Sequence, residues 1–288
     1  MFNYDNTPLL HLVKIFLNVF IIVGTAVLLG EPGNLHWSSM SQGKILGVIP
    51  ARLASTRLPR KVLREIAGKP MLEWVWRAAV ASNQMDEVLV ATDSDEVATA
   101  CRERGIPVAL TSPDCLSGSD RVCEVSRQIE AEIYVNIQGD EPLLTPDHFA
   151  PLLALFARPQ AGIEVQVSTI SVPCPIGDIN NPNAVKVVTA ADGRALYFSR
   201  STIPFDRDKV GFAGYRKHLG LYAYRKAALE RFAALPPSPL EQTERLEQLR
   251  LLENGISIYV GDAVGDTIGV DTEADLQRVE EMLRARKF

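Results

Sequence analysis

Apolar and polar positions change rhythm along the chain, and the change separates two kinds of segment. Ile45–Ile49, Val88–Ala91, Val108–Leu110 and Ile133–Ile137 are short apolar runs bounded by turn formers, the pattern of buried strands. Between them the spacing lengthens. Met71–Ala81 sets Leu72, Val75, Trp76 and Ala79 on one helical face. Thr92-Asp93-Ser94-Asp95 begins a helix that runs to Arg104 and closes at Gly105, and another helix covers about Val122 to Ala131. Asp93 stands where a catalytic acid could stand, but capping that helix is the cheaper reading. Val62–Ile66 reads as a further short strand, turned by Ala67-Gly68-Lys69-Pro70. Strands alternating with helices over short links predict a parallel sheet covered on both faces, with ligands outside the carboxyl ends of its strands.

Past residue 160 the pattern turns to extended segments. Val165–Val172, Ala184–Thr189, Ala195–Phe198 and Arg216–Tyr224 are strand-like, with a turn at Asp192-Gly193. Pairing among them makes the sheet mixed or builds a projecting arm. Ser238-Pro239-Leu240-Glu241 is a capping box with proline at the first helical position, predicting a helix to Glu253 that buries Leu246, Leu249 and Leu252. Ile256–Val260 is a strand, and Thr272 with Asp275 caps a last helix through Leu276, Val279 and Met282.

Residues 1–43 do not share this organisation. Leu9–Leu29 is apolar apart from His11, Lys14, Asn18, Gly24 and Thr25, long enough to span a bilayer. A secretory signal fits poorly, because Asp5 precedes the first cation, Lys14. Two expectations stand side by side, a membrane anchor with the body on the cytoplasmic side and a translation start at Met40, with a buried helix third. Glu31–Gly43 then serves as a linker to the domain at residues 44–288.

Composition narrows the field. The chain has 288 residues, 47% hydrophobic and 23% charged, enough for one sizeable core. A net charge of -5 demotes nucleic acid as a partner, so a basic cluster here serves a small anion. The four cysteines, Cys101, Cys115, Cys123 and Cys174, have neither metal-ligand spacing nor a disulfide framework, which suits a reducing, cytosolic setting.

The candidate chemistry follows the strands. After Ile45–Ile49, a loop carries Arg52, Arg57, Arg60 and Lys61 among the small residues Ala51, Ala54, Ser55 and Thr56, a composition suited to cradling phosphates but equally that of a solvated basic loop. It is not a Walker A loop, since the glycines and the Gly-Lys-Ser/Thr ending are missing. Ser117-Gly118-Ser119 offers hydroxyls and open backbone for a base edge, or simply starts a helix. Gln138-Gly139-Asp140-Glu141-Pro142 puts an acidic pair directly after a strand, a place for a hard cation or an ordinary turn. Asp271, at the mouth of a loop, is a second candidate magnesium ligand. Arg200 and His218 could jointly meet a carboxylate, although His218 alone reads as structural. Glu247 and Gln248 flank the buried stripe of their helix.

Taken together, GVIPARLASTRLPRK, VATDSDEV, SGSDR, NIQGDEP, NPNAVKVV, ALYFSRSTIP, YRKHLGLYAYR, PSPLEQTERLEQLR and GVDTEADL resemble the 3-deoxy-manno-octulosonate cytidylyltransferase (CMP-KDO synthetase) family, in order, from Lys44 to the C-terminus. The resemblance implies a Rossmann-like α/β nucleotidyltransferase fold: a mixed, mostly parallel sheet with helices on both faces and a small dimerisation arm near residues 195–225. It implies transfer of CMP from CTP to KDO for lipopolysaccharide synthesis, by a cytoplasmic homodimer. Arg52, Ser55, Arg57 and Lys61 would hold the phosphates, and Ser117 and Gly118 would lie near cytosine. Asp140 and Asp271 would bind Mg2+. Gln138, Arg200, His218, Tyr222, Glu247 and Gln248 would surround the sugar; Arg52, Lys61, Asp140 and Asp271 would carry the chemistry. The alternatives are another acidic sugar, 8-amino-KDO or a sialic acid, and an inactive membrane-tethered scaffold. Arg60 departs from the family, which usually has glycine there.

Overall fold

The structure is a computed structural model and describes residues 43–55, 57–157 and 162–285. The expectations for Leu9–Leu29 and Met40 lie outside these residues. Among them, no helix is long and apolar enough to cross a membrane.

The strands in chain order are β1 (Ile45–Pro50), β2 (Glu65–Ile66), β3 (Lys69–Pro70), β4 (Glu87–Thr92), β5 (Val108–Leu110), β6 (Ile133–Asn136), β7 (Val167–Pro173), β8 (Lys186–Thr189), β9 (Ala195–Ser199), β10 (Arg216–Arg225) and β11 (Ile258–Asp262). The helices are α1 (Met71–Ala81), α2 (Asp95–Arg102), α3 (Gly118–Gln128), α4 (Phe149–Leu153), α5 (Lys226–Ala234), α6 (Pro239–Glu244), α7 (Gln248–Glu253) and α8 (Glu273–Ala285). The main sheet runs β11-β7-β10-β6-β1-β4-β5. Every strand on that path points the same way except β10, which is antiparallel to both β6 and β7. The sheet is therefore mixed and mostly parallel. β8 branches from the start of β10 and pairs with β9, so the projecting part is that hairpin with the segment after it, while Arg216–Arg225 lies mid-sheet.

Period-two alternation in β1 explains the two-sided cover. Leu46 and Val48 face one way, into a cluster with Val122 and Val125 of α3, Phe232 of α5 and Leu249 of α7. Ile49 faces the other, with Leu72 and Val75 of α1, Val97 of α2 and Phe149 of α4. Each such buried aliphatic stabilises the fold by about 1.5–3 kcal/mol relative to exposure. A third, smaller cluster joins Leu58, Ile66, Met71 and Leu143 to Val270, Leu276 and Val279, and it seats the loop after β1 against the start of α8.

Several local expectations change. Val62–Ile66 is not one strand: a 3-10 turn occupies Lys61–Leu63, and only Glu65–Ile66 pairs, with Lys69–Pro70. The cap of α2 is Ser94, whose hydroxyl accepts from the Val97 amide at 3.4 Å; Asp93 instead faces the buried guanidinium of Arg121 at 3.3 Å. A buried cation needs a partner more than a helix end that already has one. The capping box at Ser238 and Glu241 forms, but the helix predicted to reach Glu253 breaks at Arg245, which is left-handed at φ 54°. That break separates α6 from α7 and turns Leu246, Glu247 and Gln248 toward the cleft. The box at Thr272 and Asp275 also forms, at 2.9 and 3.2 Å.

Candidate active site

The carboxyl ends of β1 and β6 and the first half of the reversed strand β10 open onto one cavity of about 940 Å³. Register explains why β10 contributes: Tyr222 pairs with Asn136, the last residue of β6, so His218 to Gly220 run on past the end of that strand. Gly139 brings the following loop against β1, since a Cβ there would lie 3.1 Å from the Pro50 carbonyl oxygen.

At one end of the cavity three distant segments meet. The Lys61 ammonium donates to Asp140 at 2.6 Å and to Asp271 at 3.0 Å, and Arg57 reaches the other oxygen of Asp271 at 3.1 Å. The Val270 amide donates to the Asp140 carbonyl oxygen at 2.9 Å, which fixes the backbones of the two acids to each other. Burial by itself would lower the Lys61 pKa, but the neighbouring Asp140 and then Asp271 outweigh it and hold the ammonium above its ordinary value. It stays charged. Arg52 is exposed in the loop, and Arg60 is turned away to Glu96 of α2.

Two acids drawn from separate segments onto one cation make an oxygen donor set that suits a hard divalent ion, whose other positions go to phosphate and water. Among the described residues no group of three or more Asp, Glu, His or Cys side chains gathers as a metal site. The acid pair alone therefore fits magnesium only as a partner of a phosphate ligand. Glu141 takes a different role from Asp140: it accepts from the Thr267 hydroxyl at 3.0 Å, and burial, then the adjacent Asp140, push its carboxyl up to about 7.

The other end is built from the sheet. His218 is buried, its Nε2 2.9 Å from the Thr169 hydroxyl, and desolvation pushes its pKa down to about 3. It is a neutral imidazole at any ordinary pH. Phe198 meets it edge-on at 5.0 Å, Tyr222 lies at 5.3 Å, and Tyr222, Tyr224 and Phe232 continue as stacked rings at 5.8 and 6.1 Å. A hydrogen-bond chain crosses the floor from Gln138 to Asn136 (3.4 Å), Asn136 to Ser119 (3.4 Å) and Ser119 to Glu247 (3.1 Å). Burial raises the Glu247 carboxyl above its usual range.

Of the residues singled out in the sequence, Arg57, Gly118, Gln138, Asp140, Arg200, His218, Tyr222, Glu247, Gln248 and Asp271 line this cavity. Arg52, Ser55, Lys61 and Ser117 are not in its wall; Lys61 meets it only through Asp140 and Asp271, and Ser117 caps α3, with its hydroxyl accepting from the Asp120 amide at 3.1 Å. Arg200 reaches the wall, but its guanidinium donates to the carbonyl oxygens of Glu244 at 2.7 Å and Pro182 at 3.0 Å. Ser119, read with Ser117 and Gly118 as a source of hydroxyls, also lines the cavity, whereas sequence reasoning missed Asn136 and Lys217. Lys217 bridges Asp266 at 2.9 Å and Asp178 at 3.2 Å and so ties two loops of the wall. A polar residue closing an otherwise apolar strand was the available signal for Asn136; Lys217, between Arg216 and His218, offered none.

A family model described as cytidylyltransferase matches residues 46–258. The 3-deoxy-manno-octulosonate cytidylyltransferase of Acidobacterium capsulatum is 68% identical over 86% of this chain and all of its own length. That of Koribacter versatilis is 57% identical over 84% of this chain and 91% of its own. A solved structure of CMP:2-keto-3-deoxy-manno-octonic acid synthetase complexed with CTP superimposes with a TM-score of 0.80 at 41% identity, over 85% of this chain and 100% of that one.

Proposed function

The chain belongs to the 3-deoxy-manno-octulosonate cytidylyltransferase family, and from that premise we propose that its cleft transfers CMP from CTP to the anomeric hydroxyl of KDO. It is a nucleotidyltransferase, and its product is the activated sugar of lipopolysaccharide synthesis. The new bond joins the sugar oxygen to the α-phosphorus; the bond from that phosphorus to the β-phosphate oxygen breaks, pyrophosphate leaves, and the hydroxyl proton passes to solvent.

The observation that carries this reading is the convergence of Lys61, Asp140 and Asp271 at one end of a cavity whose other end is walled by the buried rings of His218, Tyr222 and Tyr224. Nucleotidyl transfer asks for alignment and charge neutralisation more than for a covalent intermediate. Lys61, Arg57 and Arg52 would receive the charge of the triphosphate, and Lys61 would stabilise what builds on the leaving pyrophosphate. Asp140 and Asp271 would hold Mg2+, which supplies further neutralisation and lowers the pKa of the attacking hydroxyl. Ser55 would complete the phosphate loop, and Ser117 and Gly118 the cytosine end. Gln138, Arg200, His218, Tyr222, Glu247 and Gln248 would contact the sugar. His218, being neutral and with Nε2 engaged by the Thr169 hydroxyl, would shape the wall beside the sugar carboxylate and leave the counter-charge to Arg200.

A homodimer through the segment near residues 195–225 is part of the same proposal, supported by the exposed Leu196, Phe205 and Val210. A cytoplasmic location is in keeping with four free cysteines. Pyrophosphate release from CTP, with and without Mg2+, across KDO, 8-amino-KDO and a sialic acid tests the function. Release with KDO and Mg2+ is expected; release with another sugar alone changes the substrate, and release with none leaves a scaffold.

A further inference from the structure

The acids that the proposed function gives to magnesium already have a cation. Lys61 bonds to both, and Arg57 holds the remaining oxygen of Asp271. The acids themselves are fixed. Asp140 is tied through its carbonyl oxygen to the Val270 amide, and the amides of Asp271 and Thr272 donate to Asp275 at 3.1 and 2.9 Å. The small cluster around Leu58, Leu143 and Val270 packs the loop, the Asp140 segment and the Asp271 segment together from behind. Lys61 is instead a long, unbranched side chain on a single 3-10 turn, with freedom to move while the acids stay in place.

Two carboxylates held this close repel each other unless a cation lies between them, and that place accommodates one cation at a time. An ammonium and a divalent ion there would repel each other at contact distance, which weakens what either gains from the acids. We propose that Lys61 competes with the divalent cation for Asp140 and Asp271, and yields the pair when a triphosphate arrives to take its ammonium. The inference rests on the metal assignment in the proposed function and adds an order to it. Metal alone binds weakly because it must evict Lys61 onto nothing; metal with nucleotide binds well because the evicted ammonium gains phosphate oxygens. The grip is thus completed only when cation and triphosphate are both present, which guards the acids against metal that carries no nucleotide.

The test is Mn2+ binding to the full chain without nucleotide, read by electron paramagnetic resonance of the free ion. Lys61→Met and, as an uncharged variant of different shape, Lys61→Gln should bind Mn2+ about tenfold or more tightly than the unsubstituted chain, within the usual range of coupling between two ligands. Lys61→Arg, which keeps a cation, should not. Adding Asp140→Asn to Lys61→Met should abolish the gain. Equal or weaker Mn2+ binding by both uncharged variants overturns the competition and leaves the metal assignment standing. A double variant that binds as tightly as Lys61→Met overturns the metal assignment instead, and the competition with it.

Discussion

At the loop end of the cleft, Lys61, Asp140, Asp271 and Arg57 hold one another through contacts of 2.6 to 3.1 Å, with Arg57 and Asp271 open to solvent. At the sheet end, His218, Tyr222 and Tyr224 are buried in β10 and held by a threonine hydroxyl and stacked rings. Under the proposed function the contrast matches what each end would bind. A triphosphate brings several charges, and partners that can exchange accommodate it without leaving bare charge in its absence. A sugar is recognised by shape and hydrogen bonds, so the wall that meets it is set before it arrives. The proposed function would therefore place rearrangement in ion pairs and rigidity in the sheet.

The largest break in that comparison comes from removing a charge at the loop end. Asp271→Ala should lower Mg2+-dependent turnover by about 10²–10³-fold, the scale of one lost electrostatic group in a preorganised site. Far-UV circular dichroism should be unchanged, because Asp271 makes no core contact. Turnover retained in full would remove Asp271 from the chemistry.

A smaller effect separates the two ends by pH. The His218 imidazole is neutral in the fold down to about 3, while the unfolded chain takes up that proton below its ordinary 6.5. Its stabilising contribution is therefore present above pH 6.5 and lost as pH falls toward 3, by about 1.4 kcal/mol per unit. Urea midpoints of the unsubstituted chain and His218→Asn should converge by about 2 kcal/mol between pH 7 and pH 5. Glu141 tilts the other way: its raised carboxyl adds stability below 4.5 that is lost as pH rises through about 7. Glu141→Gln should flatten that rise-dependent loss in metal-free buffer. Parallel pH slopes for the two variants would erase the distinction between the ends.

Arg60 gives the smallest effect. It stands left-handed at φ 57°, a conformation that suits glycine, and its ion pair with Glu96 is exposed. Arg60→Gly relieves the backbone and loses a weak pair, so stability should move by less than about 1 kcal/mol. Turnover should stay within about twofold, since Arg60 faces α2 and not the cavity. A large loss of CTP affinity would return it to the phosphate grip.

Periodicity was enough for the parallel half, because strands such as Ile45–Ile49 and helices such as Met71–Ala81 bury faces that only one period satisfies. The reversal of β10 was not legible, since an apolar strand reads alike in either direction and only its pairing with β6 and β7 decides. The helix break at Arg245 escaped for a similar reason: nothing in Glu244-Arg245-Leu246 forbids a helix, and packing of Leu246, Leu249 and Leu251 against the sheet selects the turn. Single motifs left the site ambiguous between surface and function, and the family resemblance supplied the expected roles. Even so, neither motif nor resemblance brought out Lys61 as the shared partner of Asp140 and Asp271, a relation that exists only once residues 61, 140 and 271 are folded together. The Asn136 and Ser119 chain under Glu247 is of the same kind.

The central claim is that this cleft joins the CMP phosphorus to the anomeric carbon of KDO through oxygen. Incubating the chain with CTP, Mg2+ and KDO labelled with 13C at the anomeric carbon, and following that carbon by NMR, tests it directly. The account predicts a new anomeric resonance split by phosphorus that grows in step with pyrophosphate and needs all three components. Pyrophosphate released with no phosphorus-coupled anomeric carbon, or no pyrophosphate at all, would contradict it.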